Sequence, residues 1–130
     1  MRVLALDYGS ARCGCAVSDP TGTIVTPIDP VARPTERRGM AAIVALVSER
    51  EIERVVVGLP LSLRGEDTEQ TCETRSFAAA LSRRLGEDVP VELYDERFTT
   101  RIAAGMTGAV TSEDSRAAAV LLEGWLARGR

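Results

Sequence analysis

The chain has 130 residues, 45% hydrophobic and 27% charged, with six prolines and a formal net charge of −3, a composition that excludes disorder and predicts one domain over 1–130 with its own core. It contains no histidine, and all sixteen basic residues are arginine. Ser-His-Asp and Cys-His hydrolysis, imidazole-based RNA cleavage, lysine Schiff bases and a P-loop are therefore excluded.

The first seven residues, "MRVLALD", read as a strand that ends on Asp7 and a Tyr8-Gly9 turn. They lack the longer apolar stretch and cleavage site of a secretory signal, and no apolar run approaches the roughly 18 residues of a membrane span, so a cytoplasmic protein is expected. "RCGCAVSD" (12–19) and "TIVTPIDPVA" (23–32) continue an antiparallel meander, and Pro27 and Pro30 push the third strand to an edge. Cys13 and Cys15 share one face of the second strand and read as small packing residues. Three cysteines without histidine cannot assemble the four ligands of a structural zinc site.

Thr35 is the expected N-cap of a helix over "ERRGMAAIVALVSERE", with Met40, Ile43, Val44 and Val47 as its apolar stripe. "RVVVGLP" is a short apolar run typical of a central strand buried on both faces. A turn-rich stretch leads to a helix over about 68–85 with Ala78, Leu81 and Leu85 inward. "VPVELYD" is the last strand, "TTRIAAGM" a short helix and "SEDSRAAAVLLEGWLARG" the final helix. This order predicts an α/β fold, a mixed five-stranded sheet ordered 3-2-1-4-5 with helices on both faces.

Ligands of such sheets bind outside the carboxyl ends of the parallel strands. Asp7 ends the first strand there, and Asp95-Glu96 end the last. In the final helix, Asp114, Ala117, Ala118, Leu121 and Trp125 recur at helical spacing, so Asp114 is expected at the end of the face that meets the sheet. Two unit charges ~4 Å apart repel by ~4 kcal/mol at an effective dielectric of about 20, so clustered carboxylates either raise a pKa or hold a cation. Oxygen ligands alone point to a hard cation, Mg²⁺ or Mn²⁺, and a pair of such ions can activate water against a phosphodiester.

Each acid has a plainer explanation. Asp7 could open an Asp-x-Gly turn, Glu96 could pair with Arg101, and Asp114 could be a helix-start acid three residues after Thr111. Their meeting at one sheet edge is what favours a site.

The blocks "DYGSARCGCAVSD", "VGLPLSLRGED" and "DERFTT", followed by "DSRAAAVLL", resemble the YqgF/RuvX family in the right order over nearly the whole chain. That resemblance implies an RNase H-like fold and a role as a pre-16S ribosomal RNA nuclease or a Holliday-junction resolvase. It implies Asp7, Glu96 and Asp114 as catalytic, metal-binding acids, with Asp95 able to exchange roles with Glu96. Asp7 would bridge two ions, and water would attack in line to leave a 5′-phosphate. Gly58-Leu59-Pro60 stand where many RNase H-like nucleases carry an acid, so the Asp95-Glu96-Arg97 segment would substitute. Gly9 and Gly14 would keep the first hairpin clear for a phosphate. Arg12, Arg64, Arg97, Arg101 and Arg116 would grip the substrate, whereas Arg83-Arg84 read as a solvated helix face. The loop "TGAVTSED" departs from the family pattern, in which it is often longer and contains lysine.

The expected partners are nucleic acid, either structured RNA or branched or single-stranded DNA, and the ribosomal small-subunit precursor. No membrane partner is expected, and the protein could act as a monomer or homodimer. Two other classes remain open. One is the actin-like ATP-binding domain, which needs a second domain to complete its cleft. The other is a nucleic-acid-binding module that has lost catalysis.

Overall fold

The structure, a computed structural model, describes residues 1–96 and 113–128. Five strands form one sheet in the order β3-β2-β1-β4-β5: β1 is Val3–Asp7, β2 Arg12–Ser18, β3 Val25–Ala32, β4 Arg54–Leu59 and β5 Val91–Asp95. β1 to β3 are an antiparallel meander, while β1, β4 and β5 run parallel. The predicted order is the observed one, with proline-bearing β3 at an edge. The short helix expected from "TTRIAAGM" lies outside the described residues.

The period-2 alternation of β1 divides the core. Leu4, Leu6 and Tyr8 face α1 (Arg37–Glu49) and α2 (Glu69–Leu85), together with Cys13, Cys15, Val55, Val57 and Phe77. Val3 and Ala5 face α3 (Glu113–Ala127), with Ala16, Val56, Ala118, Leu122 and Trp125. Tyr8 stacks on Phe77 at 4.8 Å between ring centroids. Phe77 is the largest fully buried side chain and packs α2 against the sheet. Its truncation to Ala would cost about 3–5 kcal/mol.

Two local readings change, at the cap of α1 and in the first turn of α3. The N-cap of α1 is Glu36, whose side chain makes no capping bond; the Thr35 hydroxyl is instead hydrogen-bonded to Tyr8. In α2, Thr68 and Thr71 form a reciprocal capping box; Ala78 and Leu81 are buried as expected, half-buried Leu85 packs against the same core, and Phe77 joins them. In α3, Ala117 is exposed, and the face against the sheet runs through Ser115, Ala118, Ala119 and Leu122. Ala118, Leu121 and Trp125 of the expected stripe are buried against the sheet, and the difference is confined to the first turn, where Ser115 rather than Ala117 faces inward. Asp114 itself remains half-buried at the margin of that face.

Candidate active site

Asp7 is the next residue after Val3 and Ala5 on the α3 side of β1, so it sits where the buried face meets the sheet edge. Across β2 it pairs with Gly14. On the other flank Leu6 pairs with Val57, so Gly58 runs alongside Asp7. Asp7 thus lies between two glycines on one face of the sheet.

The same alternation separates the two acids that end β5. Val91 and Leu93 pack with the α1/α2 layer, and Asp95 follows them on that side; Tyr94 packs with the α3 layer, and Glu96 follows it. The structure accordingly brings Glu96, not Asp95, to Asp7, and their side chains are hydrogen-bonded. Burial is the largest cause holding Glu96 up at about 8; the bond to Asp7 and the charges of Asp7 and Asp95 add to it. Burial also raises Asp7, opposed by the bond from Glu96 and reinforced by the charge of Asp114. At neutral pH Glu96 therefore keeps its proton and donates it to the Asp7 carboxylate. One proton holds together two carboxyls that would otherwise repel.

Asp114 approaches from the opposite flank, in the first turn of α3, where the helix dipole favours a carboxylate. A Cβ on Gly14 would collide with the carbonyl of Asp114 and come within 2.9 Å of the Ser115 nitrogen. The room at Gly14 is thus filled by α3. The room at Gly9 is likewise taken, because a Cβ there would meet the Arg12 carbonyl at 2.6 Å. Gly9 thus closes the hairpin and Gly14 docks α3, so each glycine has a packing role besides the expected clearance for a phosphate.

Ser115 secures that docking, and sequence reasoning missed it. The β2–β3 pairing shifts register between Cys13 and Cys15, opposite an extra residue on β3 between Ile28 and Val31. There the Cys15 N–H donates to Ser115 Oγ at 3.3 Å, and the Ser115 hydroxyl donates to the Ile28 carbonyl. The helix supplies a polar bridge between β2 and β3 at the irregularity. The available signal was the Ser115, Ala118, Ala119, Leu122 spacing, which is as helical as the stripe through Asp114.

The predicted arginines divide. Arg12 Nε lies 3.3 Å from Asp114 Oδ2, so this guanidinium partly offsets the third acid. Arg64, in the segment after β4, and Arg116, on α3, are exposed. Arg97 and Arg101 lie outside the described residues, as does most of "TGAVTSED". Arg83 and Arg84 are exposed, as expected of a solvated face.

Among the described residues, no group of three His, Cys, Asp or Glu residues is gathered closely enough to hold a metal ion. The arrangement is a proton-sharing pair, Asp7 and Glu96, with Asp114 near enough for its charge to act on Asp7. The donors are all carboxylate oxygens, which suit a hard divalent cation, and the shared proton marks where positive charge is favoured. In donor type the residues present fit such an ion, which would have to draw Asp114 closer to the Asp7–Glu96 pair.

A family model described as "RuvX: Holliday junction resolvase" matches residues 1–128. This chain belongs to the RuvX family. Two curated relatives, each named "Putative pre-16S rRNA nuclease", agree with that membership. The relative from Maridesulfovibrio salexigens is 38% identical over 136 residues, covering 98% of this chain and 99% of its own. The relative from Rhodococcus erythropolis is 42% identical, covering 96% of this chain and 77% of its own. The solved structure of T. thermophilus RuvC in complex with Holliday junction substrate matches this RuvX-family chain with a TM-score of 0.70. That match has 18% identity and spans 99% of this chain and 96% of the other. At that identity the likeness establishes the RNase H-like fold.

Proposed function

We propose that this RuvX-family protein is a nuclease, a hydrolase of phosphodiester bonds, and that Asp7, Glu96 and Asp114 are its catalytic acids. The Asp7–Glu96 carboxyl pair at the carboxyl edge of the parallel strands carries this reading. A fold gains little by burying two mutually repelling acids. A site that exchanges their proton for a cation accounts for the pair.

Asp7, between Glu96 and Asp114, is the acid both flanks share. Glu96 releases its proton when positive charge enters the site, and Asp114 completes the opposite side with Arg12 beside it. Bound Mg²⁺ or Mn²⁺ would offset phosphate charge and lower the pKa of the attacking water. Because the chain has no histidine, its own side chains serve to position and to balance charge. Arg12, Arg64 and Arg116, with Arg97 and Arg101, are the candidates for phosphate contact, where the guanidinium fork suits bidentate bonds. Asp95 serves by its charge on Glu96 rather than as a ligand.

The substrate we favour is the 5′ end of pre-16S ribosomal RNA, on the names of the relatives; the site of action would be the cytoplasm, on the small-subunit precursor. Among the described residues no helix is long and apolar enough to cross a membrane. The description of the matching family model supports a second reading, cleavage of four-way DNA junctions. The test is cleavage of a labelled pre-16S fragment and a four-way junction, with Mg²⁺, Mn²⁺ or EDTA. The expected outcome is metal-dependent cutting of the RNA in preference to the junction. Preference for the junction would select the second reading, and failure to cut either would contradict both.

A further inference from the structure

Gly58 lies on β4 between the strands that carry Asp7 and Glu96, on the face that holds both acids. To meet Asp7, the Glu96 side chain must cross β4. A Cβ built on Gly58 would collide with Glu96 Oε1 and lie 2.9 Å from its Cγ and 3.0 Å from its Cδ. The volume a side chain at 58 would fill is the volume the Glu96 carboxyl occupies. Gly58 is buried and has no positive φ, so the backbone does not require glycine here.

We infer that Gly58 is a positioning residue: its missing side chain is the seat across which Glu96 reaches Asp7, and any larger residue displaces that carboxyl from the site. The functional half of this inference rests on Glu96 being a catalytic acid. The seat itself rests on packing alone. The atoms a Cβ would meet belong to the flexible end of a side chain, so the fold can accommodate a methyl by letting Glu96 turn away. The consequence is a misplaced acid in a folded protein.

The experiment compares the wild type, Gly58→Ala, Glu96→Ala, Gly58→Ala/Glu96→Ala and Gly58→Asp/Glu96→Ala. It measures Mn²⁺ binding by calorimetry, steady-state cleavage and thermal melting. Gly58→Ala should stay folded with a measurable but modest drop in melting temperature, bind Mn²⁺ at least ~10-fold more weakly and lose at least ~10-fold in kcat with KM little changed, in the range expected when a partner orienting a metal ligand is lost. Gly58→Asp/Glu96→Ala should recover at least ~10-fold in kcat over Glu96→Ala, because its carboxylate starts from a Cβ already beside the vacated position. A Gly58→Ala protein that binds Mn²⁺ and cuts like an active wild type overturns the inference. A wild type that neither binds Mn²⁺ nor cuts overturns the reading of Glu96 instead. The melting cycle then still decides the seat, since Gly58→Ala should perturb the wild type more than it perturbs Glu96→Ala. Equal perturbation in both backgrounds overturns it.

Discussion

Two glycines flank Asp7, and the obstacles they admit are of different kinds. Over Gly14 lies backbone, the carbonyl of Asp114 and the nitrogen of Ser115. Over Gly58 lies the end of one side chain, Glu96. A helix turn cannot step aside without undoing its contacts with β2 and β3, whereas a carboxyl can rotate. One flank of the site is therefore built from backbone, and the other depends on a shared proton and an absent side chain.

Changes at the backbone flank should have the largest effect on stability. Gly14→Ala is expected to cost about 3 kcal/mol, the upper end for inserting a methyl against packed structure, in chemical denaturation, and to displace Asp114 as α3 lifts. A Gly14→Ala protein as stable as Gly58→Ala would erase the contrast between the flanks. Ser115→Ala leaves the buried Cys15 N–H without the Ser115 hydroxyl and removes a bond to the Ile28 carbonyl. A loss of roughly 1–3 kcal/mol is expected, and Ser115→Thr should recover little because the added methyl enters the same contact. Equal stability of Ser115→Ala and wild type would place the docking of α3 elsewhere.

The softer flank should show itself in pH dependence. Glu96 is raised in the folded state from 4.5 to about 8, so the folded protein binds more protons than the unfolded chain between those values. Its contribution to stability is fully present below the unfolded pKa and is lost as pH rises through the folded one. Without added metal, the melting temperature should therefore fall from pH 5 to pH 8 more steeply for the wild type than for Glu96→Gln. Asp7, also raised by burial, acts in the same direction. Parallel profiles for the two proteins would show that Glu96 does not hold a proton in the fold. The smallest effect is expected at Arg12. Its pair with Asp114 is exposed on both sides, with side-chain exposures of 67% and 41%, so Arg12→Ala should change stability by less than ~1 kcal/mol. Any larger consequence should appear as weaker substrate binding that grows less sensitive to salt.

Much of this contrast could not be read from the sequence. The all-apolar run of β4 and the prolines of β3 carry their sheet positions in their chemistry, and the meander followed by crossovers determines the strand order. Asp7 was legible as a polar residue at the end of a buried strand. The phase of α3 was legible at Ala118, Leu121 and Trp125 but not in its first turn, because the alanines of "SRAAAVLLEGW" populate more than one stripe and do not show that Ser115 faces the sheet. For β5, the alternation of Val91 and Leu93 against Glu92 and Tyr94 already separates Asp95 from Glu96. Only the position of α3 says which face is the site. Gly14 and Gly58 are visible as glycines, but no local signal names the distant segment that fills the space each leaves.

The most direct test is calorimetric titration of Mn²⁺ into the wild type and Asp7→Asn at pH 7, repeated in buffers of different ionisation enthalpy to count protons. The wild type should bind Mn²⁺ and release a proton as Glu96 ionises. Asp7→Asn should fold and melt like the wild type yet bind no Mn²⁺ and cut no RNA. Binding by Asp7→Asn equal to that of the wild type, or binding by the wild type without proton release, would contradict the assignment of the Asp7–Glu96 pair as the cation site.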